Sequence, residues 1–337
     1  MARKGGWRRA GSKGRFRYLD ARGNKIDEVK VERIETLVIP PAWKDVWISP
    51  NAGAKLQATG EDKAGRRQYL YHPDYRAQQE QAKFDKLARF AERLPDLRLA
   101  MGEHMTHDPY DRERVCAVAV RPINLAWFRV GAERYAKSSR TYGVSTLSKQ
   151  HVSVRGNRVA FTFHGKHRVL VRTTLVDSEL AGAIKDLLAQ PGRGRLFRYD
   201  RDDSRCALTG PVLNAYIQEH MGEEFSAKDF RTWGGTLTAA IALAEHGLPE
   251  TEAEAKRTLA AVMRSVGERL GNTPAVARAS YVSPAVVEQY LDGRTIDDLR
   301  PRHLRIVRAR DTGLDQEEQT VQSLLRSWRI RRTRAAA

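Results

Sequence analysis

Five residues of this chain stand in contexts where their side chains could do chemistry. Arg129 closes an apolar run, Ile123 to Phe128, within Phe128-Arg129-Val130-Gly131. A guanidinium in such surroundings needs an anion or several acceptors, so it reads as a core ion pair or as a ligand for a phosphate. Lys166 stands in Gly165-Lys166, at the tip between two alternating segments. A stiff ribbon there could enter a nucleic-acid groove and let the ammonium protonate a leaving oxygen, although turn lysines are more commonly just solvated. Ser226 with Asp229 reads as a helix N-terminal cap followed by Lys228 and Arg231, cations at the end of the helix that the macrodipole makes positive. An anion bound by the first-turn amides and the guanidinium would relieve that conflict. Gly271-Asn272-Thr273-Pro274 opens a further helix, and Tyr281 falls at its junction with one restarted by Ser283-Pro284. Among 11 tyrosines, any single one is more often packing than chemistry.

Other chemistries fit less well. His104 and His107 have the wrong spacing for the two-histidine helical zinc motif, and no further ligand set is apparent. Asp200, Asp202 and Asp203 would suit a magnesium cluster, but a solvated turn after Leu196-Phe197 is the better reading. No glycine-rich loop leads into Lys-Ser or Lys-Thr, so a nucleotide site is not expected. No metal or cofactor is called for.

The elements that must carry these residues fall into two groups. Residues 1–35 hold 11 lysines and arginines among glycines and aromatics, and their tip is expected to be loose. From Glu35 to Tyr71 the pattern is β-rich: strands are expected at 37–39, 46–48, 56–59 and 68–71, separated by Gly, Pro, Asn and Asp. After Pro73 the period becomes helical through Phe84, Leu87, Ala88, Ala91 and Leu94. The expected boundary is near residue 80, dividing a small β-rich N-terminal domain (1–80) from a larger, mainly helical domain (81–337). Within the second part, Thr251 and Glu254 make a capping box for a helix ending at Gly271, and Thr209-Gly210-Pro211 opens another that closes at Gly222. One β interruption stands out: strands 151–155, 158–164 and 167–173, joined by Gly156-Asn157 and Gly165-Lys166 turns. Five arginines around Trp328 sit on a short helix-like stretch from Leu324 to Arg334. The fold class is α+β.

Composition narrows the partners. Lysine plus arginine total 59 against 41 acids, a formal charge of +18, which favours a polyanion. At 41% hydrophobic residues the chain can build a core. The longest apolar stretch, Leu237 to Leu248, is too short to span a bilayer, and the basic start leads into no apolar signal region. Two cysteines, Cys116 and Cys206, suit a reducing cytoplasm.

Taken jointly, these segments resemble the type IB DNA topoisomerases of the compact bacterial and poxviral kind. The family's order is matched by Phe-Arg129-Val-Gly, Gly-Lys166, Lys228-Asp-Phe-Arg231-Thr-Trp-Gly, Gly-Asn272-Thr-Pro and Ala-Ser-Tyr281-Val. Val38-Ile39-Pro40-Pro41-Ala42-Trp43 and Gly65-Arg66-Arg67-Gln68-Tyr69-Leu70-Tyr71 are also family-like, so the resemblance covers nearly the whole chain beyond its basic tip. One departure is Asn272, where many members carry histidine; an amide can donate a hydrogen bond but holds no charge. The resemblance implies a Tyr281 nucleophile, a 3′-phosphotyrosyl intermediate, Arg129, Arg231 and Asn272 around the phosphate, and Lys166 as proton donor. It implies further DNA contacts from Gln68 and Tyr69, with Arg66, Arg67, Arg134, Tyr135 and Lys228 as auxiliaries. A monomer acting on double-stranded DNA without ATP is expected. A tyrosine recombinase, or an inert architectural DNA-binding protein, is the alternative. A recombinase usually has histidine where this chain has Lys228, and its N-terminal part is helical.

Overall fold

Alternation on a half-buried surface and a 3.6-residue apolar stripe each select their own element, and most of the chain follows them. In the computed structural model, residues 5–12, 14–192, 194–202, 204–299 and 313–336 are described. The fold is α+β, in two compact units, Met1–Lys83 and Phe84–Ala337.

The first unit begins with β1 (Trp7–Ala10) and β2 (Arg17–Leu19), followed by α1 (Glu28–Thr36), β3 (Lys44–Ile48), β4 (Leu56–Glu61) and β5 (Arg67–Tyr71). The strands form one antiparallel sheet ordered β2-β1-β3-β4-β5. Trp7, Ile34, Ile39, Val46, Ile48 and Ala58 make its core. The expected loose tip, residues 1–4, lies outside the described residues; from Trp7 onward the basic segment is held because β1 pairs with both β2 and β3. One expectation changes here: Leu37–Ile39 is not a strand, since it closes α1. Leu37 and Val38 donate back to Ile34 and Glu35, and Val38 turns the chain at φ 47°. Arg9 then secures the following Pro40-Pro41 corner by donating to the carbonyls of Ile39, Pro40 and Trp43.

The chain leaves the sheet through α2 (Pro73–Asp85), in which the division between the units falls. The second unit holds α3 (Leu87–His104), α4 (Arg112–Ala126) and α5 (Glu133–Ser139). A meander follows, β6 (Val152–Arg155), β7 (Arg158–His164) and β8 (Leu170–Val176), then α6 (Ser178–Ala189). A small ribbon, β9 (Arg198–Arg201) with β10 (Ser204–Ala207), leads to α7 (Gly210–Met221), α8 (Ala227–His246), α9 (Glu252–Leu270), α10 (Pro274–Ser280), α11 (Pro284–Leu291) and α12 (Gln316–Ala336). Phe90 of α3 lies at the centre, edge-on to Phe225 and Phe230, with Trp233 beside it.

The meander's third strand starts at Leu170 rather than His167, because residues 165–169 form the connecting loop. The β9–β10 ribbon is an interruption that the sequence reading lacks. It also accounts for the acidic turn: Asp200 is paired with Arg205 at 2.7 Å, and Asp202 sits in the turn at φ 53°. Asp203 lies outside the described residues. The C-terminal stretch is longer than expected, beginning at Gln316. No helix among the described residues is long and apolar enough to cross a membrane.

Candidate active site

The site begins where α4 stops. Trp127 ends that helix in the left-handed region (φ 56°, ψ 35°), its N–H still donating to Ile123. This conformation is uncommon for a bulky residue and signals a constrained position. Its ring is seated against α8 at Gly234, where an added Cβ would lie 2.2 Å from the indole. The Arg269 guanidinium stacks over the same ring at 4.6 Å. The turn directs the Trp127 carbonyl onto Arg231, which donates to it from Nη1 at 2.7 Å.

The second support for Arg231 comes from the end of α9. Gly271 adopts φ 61°, ψ 54°, with its N–H on Glu268 and the Asn272 N–H on Gly267. That left-handed cap satisfies two of the helix's last carbonyls and leaves the one at Leu270 available. Arg231 Nη2 donates to it at 2.6 Å, and Asn272 Nδ2 at 3.1 Å. The Asn272 amide oxygen accepts from Arg129 Nη2 at 2.9 Å. Both ends of the amide are thus assigned by their partners, and one Nδ2 hydrogen remains to be donated.

Tyr281 follows α10, its N–H on Ala277, and its carbonyl accepts from Thr236 Oγ1 on α8. Gly235 permits this approach, since a Cβ there would meet the Tyr281 carbonyl oxygen at 2.7 Å. The guanidinium carbon of Arg231 lies 5.1 Å from the Tyr281 ring centre. Burial pushes the phenol's pKa up, but the charges of Arg231, Arg129 and Lys166 outweigh it, and the net shift is downward. Arg231 is only 6% exposed. Burial first, then the neighbouring Arg129 charge, lowers its pKa to about 10, so it stays protonated at neutral pH. Burial likewise lowers the pKa of half-buried Arg129.

Neither arginine has an ion-pair partner among the described residues. Arg231 Nε, buried, has no acceptor among them. The core ion pair that the sequence leaves open for Arg129 is therefore not what forms. The helix-end reading of Arg231 also changes. The start of α8 is closed by Asp229, which accepts from the Ser226 N–H and hydroxyl and pairs with Lys86 at 2.7 Å. Arg231 instead points inward to carbonyls at two other helix ends.

Lys166 opens the tight turn Lys166–Arg168 in the β7–β8 loop, which the Gly165 N–H closes on Val169. It is exposed, within electrostatic reach of the Tyr281 phenol. A cavity of about 290 Å³ lies beside the arginines, walled by Trp127, Arg129, Gly165, Val169, Arg231 and Arg269 among others. The structure thus gathers Arg129, Arg231, Asn272 and Tyr281 into one contact group with Lys166 in range. The auxiliary residues lie elsewhere. Arg134 stacks on Tyr135 of α5, and Lys228 is exposed on the first turn of α8. Arg66, Arg67, Gln68 and Tyr69 belong to the β4–β5 hairpin of the first unit. Sequence reasoning missed Trp127, Gly234, Gly235 and the Leu270 carbonyl. Only the paired glycines beside Trp233 offered a visible signal, of close helix approach.

One buried and one half-buried cation held without counter-charge, beside a phenol made more acidic, can bind the oxygens of a phosphodiester next to a nucleophile. That is the requirement of a tyrosine-based phosphoryl transferase. Comparison with known proteins agrees in class. Residues 72–299 match the family described as eukaryotic DNA topoisomerase I, catalytic core, and residues 15–62 match the bacterial DNA topoisomerase IB N-terminal domain. The chain is 32% identical over 290 residues to DNA topoisomerase 1B of Acanthamoeba polyphaga mimivirus, covering 84% of this chain and 86% of that one. It is 22% identical over 283 residues to DNA topoisomerase 1B of vaccinia virus, covering 80% and 85%. The chain belongs to the type IB DNA topoisomerases and is a type I DNA topoisomerase.

Proposed function

We propose that the protein relaxes supercoils of either sign by transient cleavage of one strand of duplex DNA. The Tyr281 oxygen attacks a backbone phosphorus; the bond to the 5′-oxygen breaks and a 3′-phosphotyrosyl link forms. Arg231, through its unpartnered Nε, and Arg129 face the charge that develops on the non-bridging oxygens, with the spare Asn272 N–H as a further donor. Lys166 gives a proton to the departing 5′-oxygen. The cut strand swivels, and the 5′-hydroxyl reverses the attack to reseal it. The covalent link stores the phosphodiester energy, so neither ATP nor a metal is needed for the reaction. The small β-rich unit closes with the catalytic unit around the duplex as a clamp, and the +18 charge serves largely sequence-independent phosphate contacts of a monomer on the nucleoid.

The observation that carries this reading is Arg231: buried, held by two carbonyls, unneutralised, and beside Tyr281. The match of residues 15–62 to a bacterial type IB N-terminal domain favours it over a recombinase. The test is Tyr281→Phe, which removes only the phenolic oxygen. Duplex binding is expected to persist while covalent adduct on suicide DNA and plasmid relaxation both disappear. Adduct formation by the variant would assign the nucleophile elsewhere.

A further inference from the structure

The α3–α4 connection carries a second cluster of reactive side chains that DNA cleavage does not use. The sequence shows no ligand set around His104 and His107, but the fold brings Glu113, on the first turn of α4, next to both. Glu113 Oε2 lies 3.8 Å from His104 Nε2 and 3.5 Å from His107 Nδ1. One donor atom from each of the three lies within 4.8 Å of the others. Zinc holds nitrogen and carboxylate oxygen at about 2.0–2.2 Å in a tetrahedron, which places neighbouring donors roughly 3.4 Å apart. The two measured histidine–carboxylate edges are already close to that spacing.

The surroundings orient the ligands. His104 Nδ1 lies 2.8 Å from the hydroxyl of Tyr216, a buried residue of α7. A ring nitrogen tied to such an outer partner is the usual means of fixing a ligating imidazole. In the tautomer with the proton on Nδ1, donated to Tyr216, Nε2 turns a lone pair toward the Glu113 carboxylate and a cation fits between the two acceptors; in the other, Tyr216 donates to Nδ1 and Nε2–H faces Glu113. His220, whose ring packs 5.4 Å from His104, has a buried Nε2 with no partner among the described residues. Asp111, 3.4 Å from His107, is occupied as the cap of α4, accepting from the Glu113 and Arg114 amides.

We propose that His104, His107 and Glu113 bind one divalent cation of the zinc type, with the fourth position open to water. Two imidazoles and a carboxylate suit zinc rather than magnesium. The ion would tie the end of α3 to the start of α4, the helix whose other end supplies Trp127. Its expected effect is therefore on stability.

The test uses full-length protein without a histidine tag, stripped of metal, and titrated with zinc against a chromophoric competitor while melting temperature is followed. One equivalent is expected to bind in the micromolar range or tighter and to raise the melting temperature, with millimolar magnesium doing neither. His107→Ala and Glu113→Gln, both at partly exposed positions, are each expected to weaken zinc binding at least about tenfold, since each removes one of three ligands. Cys206→Ser is expected to bind as the wild type does. Absence of binding, binding that survives both ligand substitutions, or binding lost equally in Cys206→Ser would overturn the proposal. In the first case the cluster is a set of ion-paired imidazoles.

Discussion

The arginines of the β4–β5 hairpin and those around Tyr281 are one residue type in opposite electrostatic states. Arg66 and Gln68 both bind Asp62, whose carboxyl pKa is lowered to about 2 by the Arg66 backbone N–H foremost and by the Arg66 guanidinium, the Ala64 amide and Gln68 as well. Arg67 lies 3.5 Å from Glu61. These charges are compensated and largely in solvent. Arg129 and Arg231 are held instead by a side-chain amide oxygen and by backbone carbonyls. A carboxylate positions a guanidinium and cancels its charge; a carbonyl positions it and leaves the charge intact. Attraction for an anion is several-fold stronger in that partly desolvated setting than at an exposed turn. The hairpin is therefore suited to weak, salt-sensitive contact with a backbone, and Arg129 with Arg231 to stabilising charge during a reaction.

Substituting one member of each set gives the largest expected separation. Arg231→Ala should slow single-turnover cleavage by about 10²–10³-fold, the cost of losing a preorganised donor to a developing oxyanion, with duplex affinity nearly unchanged. Arg66→Ala should leave the cleavage rate alone and reduce the salt dependence of binding by at most about one ion. If both variants behave alike, the distinction fails.

A second experiment separates charge stabilisation from proton donation around Tyr281. Lys166→Ala should be slower by roughly 10²–10⁴-fold on a normal phosphodiester. A substrate with sulfur at the 5′-bridging position loses a thiolate without protonation, so it should recover most of that loss. Arg129→Ala should recover little on the same substrate. Equal recovery would leave Lys166 with positioning alone.

The lowered phenol pKa predicts a pH effect of smaller size. In the proposed mechanism deprotonated Tyr281 is the attacking form, so cleavage should rise with pH along a limb whose midpoint lies below about 10, the ordinary tyrosine value. Because the folded value lies below the unfolded one, the stability this group contributes is present above the unfolded value and lost as pH falls through the folded value. Phenolate absorbance of the wild type minus that of Tyr281→Phe measures the midpoint, which should move upward in Arg231→Ala. An unchanged midpoint would mean that Arg231 does not act on the phenol. The smallest effect is expected from Asp62→Asn, which removes the Asp62 negative charge beside Arg66. Duplex binding at low salt should tighten by no more than several-fold and become slightly steeper in salt, with the cleavage rate unaffected.

Local signals made much of this molecule legible. The stripe of α9, its Thr251 cap and its Gly271 stop are short-range features, as is the alternation of β6 to β8. Where short-range signals were weak, the reading failed. The sequence of α1 buries only Ile34, so its period is nearly silent, and it holds its place by closing over a sheet. Strands β1, β2, β9 and β10 are three or four residues each, too short for alternation to show. The β1 pairing with β3 joins segments far apart in sequence, where no local pattern can reveal it.

The site divides along the same line. The sequence by itself determined the residue types: a basic chain, five chemistry-bearing side chains in a recognisable order, and glycines at positions where a side chain would collide. Only the tertiary structure decided which cations keep their charge. Arg66 meets a carboxylate four residues away, a neighbour that sequence alone can suggest. Arg231 meets the Trp127 carbonyl 104 residues away and the Leu270 carbonyl 39 residues away. Every residue carries a carbonyl, so a carbonyl acceptor leaves no mark in the sequence. It becomes an acceptor for Arg231 only because one helix ends in a left-handed tryptophan and another in a left-handed glycine, at the same point in space.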